Sequence, residues 1–135
     1  MEKLKINRLH HIAIICSDYE KSKSFYTDIL GFTIDHEIYR EKRKSFKLDL
    51  SLNGEYLIEL FSFPTPPSRL TRPEATGLRH IAFGVNDLGE WIRFLNTKKV
   101  ETEPIRIDEY TNKRFTFFRD PDNLPIELYE LSIES

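Results

Sequence analysis

Apolar and polar positions alternate along this chain in two rhythms, and the rhythms recur in the same order twice. Residues 9–16 form a nearly continuous apolar run after two histidines, which predicts a strand. Ser17 or Asp18 can cap a helix, and Ser22, Phe25, Tyr26, Ile29 and Leu30 then place small or apolar groups at helical spacing. Gly31 supplies the helix stop. Period-two alternation follows over about 32–41, 45–53 and 55–63, with Asn53-Gly54 as a hairpin turn in which both residues accept positive φ. The second half repeats the plan: a strand over 78–86, an Asp87/Glu90 capping box before Trp91, Phe94 and Leu95, and strands over 100–107, 110–119 and 124–131. Asp120-Pro121-Asp122-Asn123 is the turn before the last strand. The expected fold is therefore α+β, built from two βαβββ modules over 7–63 and 77–133. Residues 64–76, opening with Pro64-Thr65-Pro66-Pro67, connect them. Each module has little surface with which to bury a core alone, so the two are expected to share one.

The repeat extends to individual words. His11-Ile12-Ala13-Ile14 is echoed by His80-Ile81-Ala82-Phe83, and Ile58-Glu59-Leu60 by Ile126-Glu127-Leu128. His80 follows His11 by 69 positions and Glu127 follows Glu59 by 68, so the same two side chains recur at equivalent places. If the modules pack about a pseudo-twofold axis, His11, Glu59, His80 and Glu127 meet as a set of metal ligands. Strand alternation puts His11, Ala13 and Ile15 on one face, matched by His80, Ala82 and Gly84, whose small side chains leave room for a ligand. In the fourth strand Glu55, Leu57, Glu59 and Phe61 share a face and Tyr56, Ile58 and Leu60 the other. An unpaired Glu59 among Leu57 and Phe61 would be costly, so it needs a partner. His10 points away from His11 by the same alternation, His36 lies in a polar strand without a repeat partner, and Cys16 falls on the opposite face as a core thiol.

Composition narrows the function classes. The 135 residues are 39% hydrophobic and 31% charged, ordinary for a folded domain. A net charge of −2 gives no electrostatic case for nucleic acid or an anionic membrane as partner. One cysteine allows no internal disulfide and fits a cytoplasmic setting. Neither an apolar signal region nor a membrane-length apolar run is present.

At these residues the chain resembles the vicinal oxygen chelate superfamily. The resemblance rests on the two His-Ile-Ala words, Phe25-Tyr26 with Leu30-Gly31, the two Ile-Glu-Leu words and Asp120-Pro121-Asp122-Asn123, in order and over nearly the whole chain. It implies an open, cup-shaped eight-stranded sheet with the metal inside, and a dimer. The His/Glu/His/Glu set is most similar to that of glyoxalase I, which implies His11, Glu59, His80 and Glu127 as ligands of one divalent ion per site (Ni, Zn, Mn or Fe). Such an ion polarises a carbonyl and stabilises the enediolate, while a glutamate moves the proton between carbons. Glu127 is the candidate base and Glu59 the symmetric alternative. The implied activity is that of a lyase or isomerase (lactoylglutathione lyase-like) acting on a small 2-oxo compound or hemithioacetal. The alternatives are thiol transfer or oxygen insertion on the same scaffold, or non-catalytic sequestration of a ligand. Two positions depart from glyoxalase I: Ile15 and Phe63 stand where an arginine and an asparagine hold glutathione, which argues against a glutathione substrate. Phe61, Phe63, Phe115, Phe117 and the loop 64–70 are candidates for a more apolar mouth. Lys113-Arg114 could meet an anionic group, or be a charged surface strand.

Overall fold

In the computed structural model, residues 3–131 are described. The chain divides into two compact units, Met1–Pro66 and Pro67–Ser135. In the first unit β1 (Ile12–Cys16) leads to α1 (Tyr19–Ser24), and β2 (Thr33–Arg40), β3 (Ser45–Leu52) and β4 (Glu55–Ser62) follow. The second contains β5 (Ile81–Val85), α2 (Leu88–Thr97), β6 (Arg106–Ile107), β7 (Arg114–Arg119) and β8 (Pro125–Glu130). Each unit forms one four-stranded sheet, in the order β1-β4-β3-β2 or β5-β8-β7-β6. In both, the first strand runs parallel to the last and the remaining ladders are antiparallel. The βαβββ plan is thus present twice.

Local signals place the helices and turns. Asp18 accepts from the Lys21 amide and Asp87 from the Glu90 amide, so each helix starts on the aspartate that follows the first strand. α1 passes into a π-helical turn, Phe25–Ile29, which ends where the Phe32 amide reaches back to the Tyr26 carbonyl and Gly31 takes φ +84°. Asn53 and Gly54 both have positive φ, as the β3–β4 hairpin requires. Asp120 holds the last turn by accepting from the amides of Asp122 and Leu124.

One face of each sheet is covered by that unit's helix. In the first unit the buried set includes Ile14, Cys16, Tyr26, Leu48, Leu50, Ile58 and Leu60; in the second it includes Ile81, Leu88, Leu95, Phe118, Ile126 and Leu128. Both sets take alternate positions along their strands, which leaves the intervening side chains on the other face of each sheet. Cys16 belongs to the buried set, as alternation from His11 requires.

Two expected strands are shorter. The run over 100–107 contributes only Arg106–Ile107 to a ladder, because Pro104 has no amide to donate, although the Glu103 amide still reaches the Phe117 carbonyl. The run over 110–119 begins pairing only at Arg114. Asp108 accepts from the amides of Tyr110 and Asn112, and Asn112 sits at φ +63°, so these residues form a turn.

Candidate functional site

Parallel pairing of each first strand with each last strand sets a histidine beside a glutamate. Ala13 lies opposite Glu59 and Ala82 opposite Glu127, so the residues two positions earlier, His11 and His80, fall on the glutamate faces. His11 Nε2 is 3.8 Å from Glu59 Oε1, and His80 Nε2 is 3.1 Å from Glu127 Oε1. Each unit therefore assembles one imidazole and one carboxylate. Within either unit no third histidine, cysteine, aspartate or glutamate joins the pair to form a group of three, among the described residues.

The surroundings of the two pairs differ. Glu59 lies opposite Asp49 of β3, and Phe61 opposite Lys47. The Lys47 ammonium sits 2.8 Å from Asp49 Oδ1 and 3.4 Å from Glu59 Oε2. Tyr56 donates to Glu59 at 3.1 Å and stacks its ring on His11, with centres 5.2 Å apart. Burial, then the Asp49 carboxylate, holds the Tyr56 phenol well above its ordinary pKa, so it remains a donor. The hydrogen bond to Asp49 likewise raises Lys47 and keeps it cationic. Glu127 lies opposite Phe117, and the Phe117 ring meets His80 edge-on at 5.0 Å. Among the described residues, His80 is the hydrogen-bond partner of the Glu127 carboxylate. An Arg79 guanidinium nitrogen stands 3.0 Å from His80 Nδ1. Arginine only donates, so Nδ1 accepts and Nε2 carries the proton given to Glu127.

Three expectations about faces need correction. Tyr56 was placed opposite Glu59 by simple alternation. Between Ile58 and Tyr56, β4 advances two residues while β3 advances one, from Leu50 to Ser51. The resulting bulge at Leu57 turns Tyr56 to the glutamate side. His10 was expected to turn away from His11, but its Nδ1 is 2.9 Å from His11 Nδ1 and its ring is edge-on to Tyr56. His10 stands two positions before the first paired residue, Ile12, outside the ladder, so strand alternation does not fix its side. Gly84 was expected to leave open space, yet a Cβ there would lie 2.9 Å from the Leu131 side chain, which fills that position. His36 is exposed on β2, as expected. Arg114 makes a two-pronged contact with Glu130, 2.8 Å for each prong, which favours the reading of Lys113-Arg114 as a charged surface strand. Phe61 and Phe63 stack, but Arg40 lies over both rings, so that surface is partly cationic as well as apolar.

The sequence model of the Glyoxalase/Bleomycin resistance protein/Dioxygenase superfamily matches residues 8–128, a span that runs from before β1 into β8 and contains both His/Glu pairs. The chain belongs to this superfamily. Among its relatives, the uncharacterised proteins YwkD of Bacillus subtilis and YaeR of Escherichia coli are 66% and 61% identical to it, over 93% and 94% of this chain and 98% of each relative. A crystal structure of a glyoxalase family protein from Enterococcus faecalis superimposes with a TM-score of 0.85 at 47% identity, covering 92% of this chain and 98% of that one. More distant superfamily relatives carry different activities in their names. They are a metallothiol transferase of Staphylococcus haemolyticus (31% identity; 96% of this chain, 87% of the relative), mouse methylmalonyl-CoA epimerase (27%; 73% and 57%) and the lactoylglutathione lyase of Schizosaccharomyces pombe (28%; 93% and 48%).

The donor set suits a divalent ion. Imidazole and carboxylate are ligands that zinc, nickel, manganese and iron accept. In the first unit two carboxylates, Asp49 and Glu59, share the single ammonium of Lys47, so the pair keeps a negative balance that favours a cation.

Proposed function

We propose that the protein is a divalent-metal-dependent lyase or isomerase of the glyoxalase I type, acting by proton transfer next to the carbonyl of a small 2-oxo or hemithioacetal substrate. The observation that carries this reading is the recurrence of one His/Glu pair on the same strand pair of each unit, at 3.8 Å and 3.1 Å. His11, Glu59, His80 and Glu127 are the residues proposed as ligands of such an ion. Bound there, a divalent cation supplies Lewis acidity, which polarises a carbonyl oxygen and acidifies the neighbouring C–H.

The chain's own residues divide the remaining work. Glu59 is restrained by a phenol and an ammonium, which suits a carboxylate held in place. Glu127 faces Phe117 and Ala82 and touches one mobile-proton partner, His80, which suits a carboxylate that accepts a C–H proton and returns it to the adjacent carbon. Phe117 excludes water from that side of the carboxylate. The apolar Ile15 and Phe63 favour a substrate other than the glutathione hemithioacetal. The lactoylglutathione lyase and epimerase among the relatives support proton transfer as the chemistry, and the thiol transferase supports a metal. A small-molecule carbonyl substrate, a homodimer and a cytoplasmic setting accompany this reading; among the described residues no helix is long and apolar enough to cross a membrane.

Elemental analysis of the purified protein, with deuterium incorporation from D₂O into 2-oxo compounds and hemithioacetals of several thiols, tests it. A bound divalent metal is expected, with exchange at the carbon beside the carbonyl. Glu127→Gln should lower exchange by about 10²–10⁴-fold with metal retained. Metal-free protein that exchanges no substrate would overturn the proposal, and turnover that needs a thiol without C–H exchange would replace it with thiol transfer.

A further inference from the structure

The second unit contains a cavity of about 250 Å³ on the sheet face that carries Glu127. It is bordered by Arg69, Arg72, Arg79, Arg106 and Arg119, set against the two carboxylates Glu74 and Glu103, so its walls are net cationic in a chain whose net charge is −2. The placement follows from register. Arg119 pairs with Pro125, Phe117 with Glu127 and Phe115 with Tyr129, so Arg119, Phe117 and Glu127 share one face. Arg106 lies over the rings of Phe115 and Phe117, 5.2 and 5.3 Å from their centres. Phe117 in turn abuts His80, and Arg79 both borders the cavity and contacts His80 Nδ1. The cavity and the His80–Glu127 pair are thus joined by two side chains.

The walls are also pinned before any ligand arrives. Arg69 donates to the Leu78 and Arg79 carbonyls and to Thr71, and Thr71 donates to the Asn123 carbonyl, which fastens the loop to the turn between β7 and β8. Arg119 donates to Asn123, and its other terminal nitrogen is 4.0 Å from Glu103. Arg106 donates to Glu103 at 3.0 Å. Guanidinium groups held by neighbours lose little freedom on binding, and their planar forks match carboxylate and phosphate oxygens. The volume lies just below the range of pockets that enclose whole drug-sized ligands, and suits one charged group of a larger substrate.

We infer that this arginine-lined cavity is a subsite for a small anionic group, a carboxylate or phosphate ester, on the substrate whose carbonyl is handled at His80 and Glu127. The substrate class is then an anionic 2-oxo compound. This assignment rests on the function proposed above, and it moves substrate charge recognition from the positions of Ile15 and Phe63 in the first unit to arginines of the second.

Isothermal titration of the purified full chain with inorganic phosphate and with acetate, at constant ionic strength, tests it, using wild type, Arg106→Gln, Arg119→Gln and a control outside the cavity, Lys98→Gln. Saturable binding is expected in wild type and Lys98→Gln, at least tenfold weaker in both arginine variants, with metal content and circular dichroism unchanged. Tighter phosphate points to a phosphate ester and tighter acetate to a carboxylate; either supports the subsite. No saturable binding of either anion, or equal affinity in all four proteins, overturns it. Protein that purifies metal-free and exchanges no substrate, yet still binds phosphate through Arg106, would sink the metal-dependent reading and leave the anion site standing, so the two failures are separable.

Discussion

The two units carry the same pair of functional words and surround them with opposite chemistry. Beside Glu59 the sheet places Lys47 and Asp49; at the equivalent strand positions beside Glu127 it places Phe115 and Phe117. A repeated backbone therefore presents one carboxylate restrained by charge and another bordered by aromatic rings. Equivalence of ligands does not make the halves equivalent as catalysts. The pairing register repeats a histidine and a glutamate, and the neighbouring strand decides what each glutamate is able to do.

The sharpest way to break this contrast is to exchange the neighbours. Phe117→Ala removes a buried ring packed against His80 and is expected to cost about 3–5 kcal/mol in chemical denaturation, whereas the equivalent Asp49→Ala should cost far less. Equal losses at the two positions would show that the units do not differ as described. A smaller effect is expected at Glu130, where Arg114 and the Leu88 amide hold the carboxyl below its ordinary pKa. A depressed pKa contributes stability above the unfolded value of about 4.3, and that contribution is lost as pH falls through the folded value. Glu130→Gln should therefore lower the free energy of urea unfolding at pH 7 by about 1 kcal/mol given its partial exposure, and the difference from wild type should vanish in strong acid. Glu37 of the first unit is held down by Lys23 and then by the Tyr19 phenol, and being more exposed should show the same pH sense with a smaller amplitude. The smallest change in stability is expected for Lys47→Met, at most about 1 kcal/mol. Because it removes the ammonium shared by Asp49 and Glu59, it should tighten zinc or nickel binding several-fold in a chelator competition; weaker binding would show that Lys47 positions Glu59 rather than competing for it.

Most of the fold was legible because its signals are local. Aspartate caps, Asn53-Gly54, Gly31 and the Asp120 turn each act within a few residues, and the duplicated words mark where the plan repeats. The sequence names a histidine and a glutamate in each half; the parallel pairing of first and last strands is what sets them side by side. What escaped was anything that depends on counting across an irregularity. Tyr56 reached Glu59 through a bulge that no turn residue announces, His10 escaped alternation because pairing starts at Ile12, and Leu131 filled the space over Gly84 from the far end of the unit. The arginine cavity leaves no mark in the sequence for a related reason. Its members come from a proline-rich loop and three separate strands, at spacings that form no motif, and only the register gathers them on one face.

The bulge at Leu57 also separates two kinds of positional information. Beyond it, Glu59 takes its side from Ile58 and Leu60, whose partners Leu50 and Leu48 are fully buried, while the hairpin tip on the near side is free to differ in length or composition. Deleting Leu57 would straighten the ladder and, by alternation from Ile58, leave Tyr56 paired with Ser51 on the side of Glu59, without displacing Glu59 itself. The unit thus has a mechanical clutch: the tip can slip by one residue while the ligand strand stays engaged with the core.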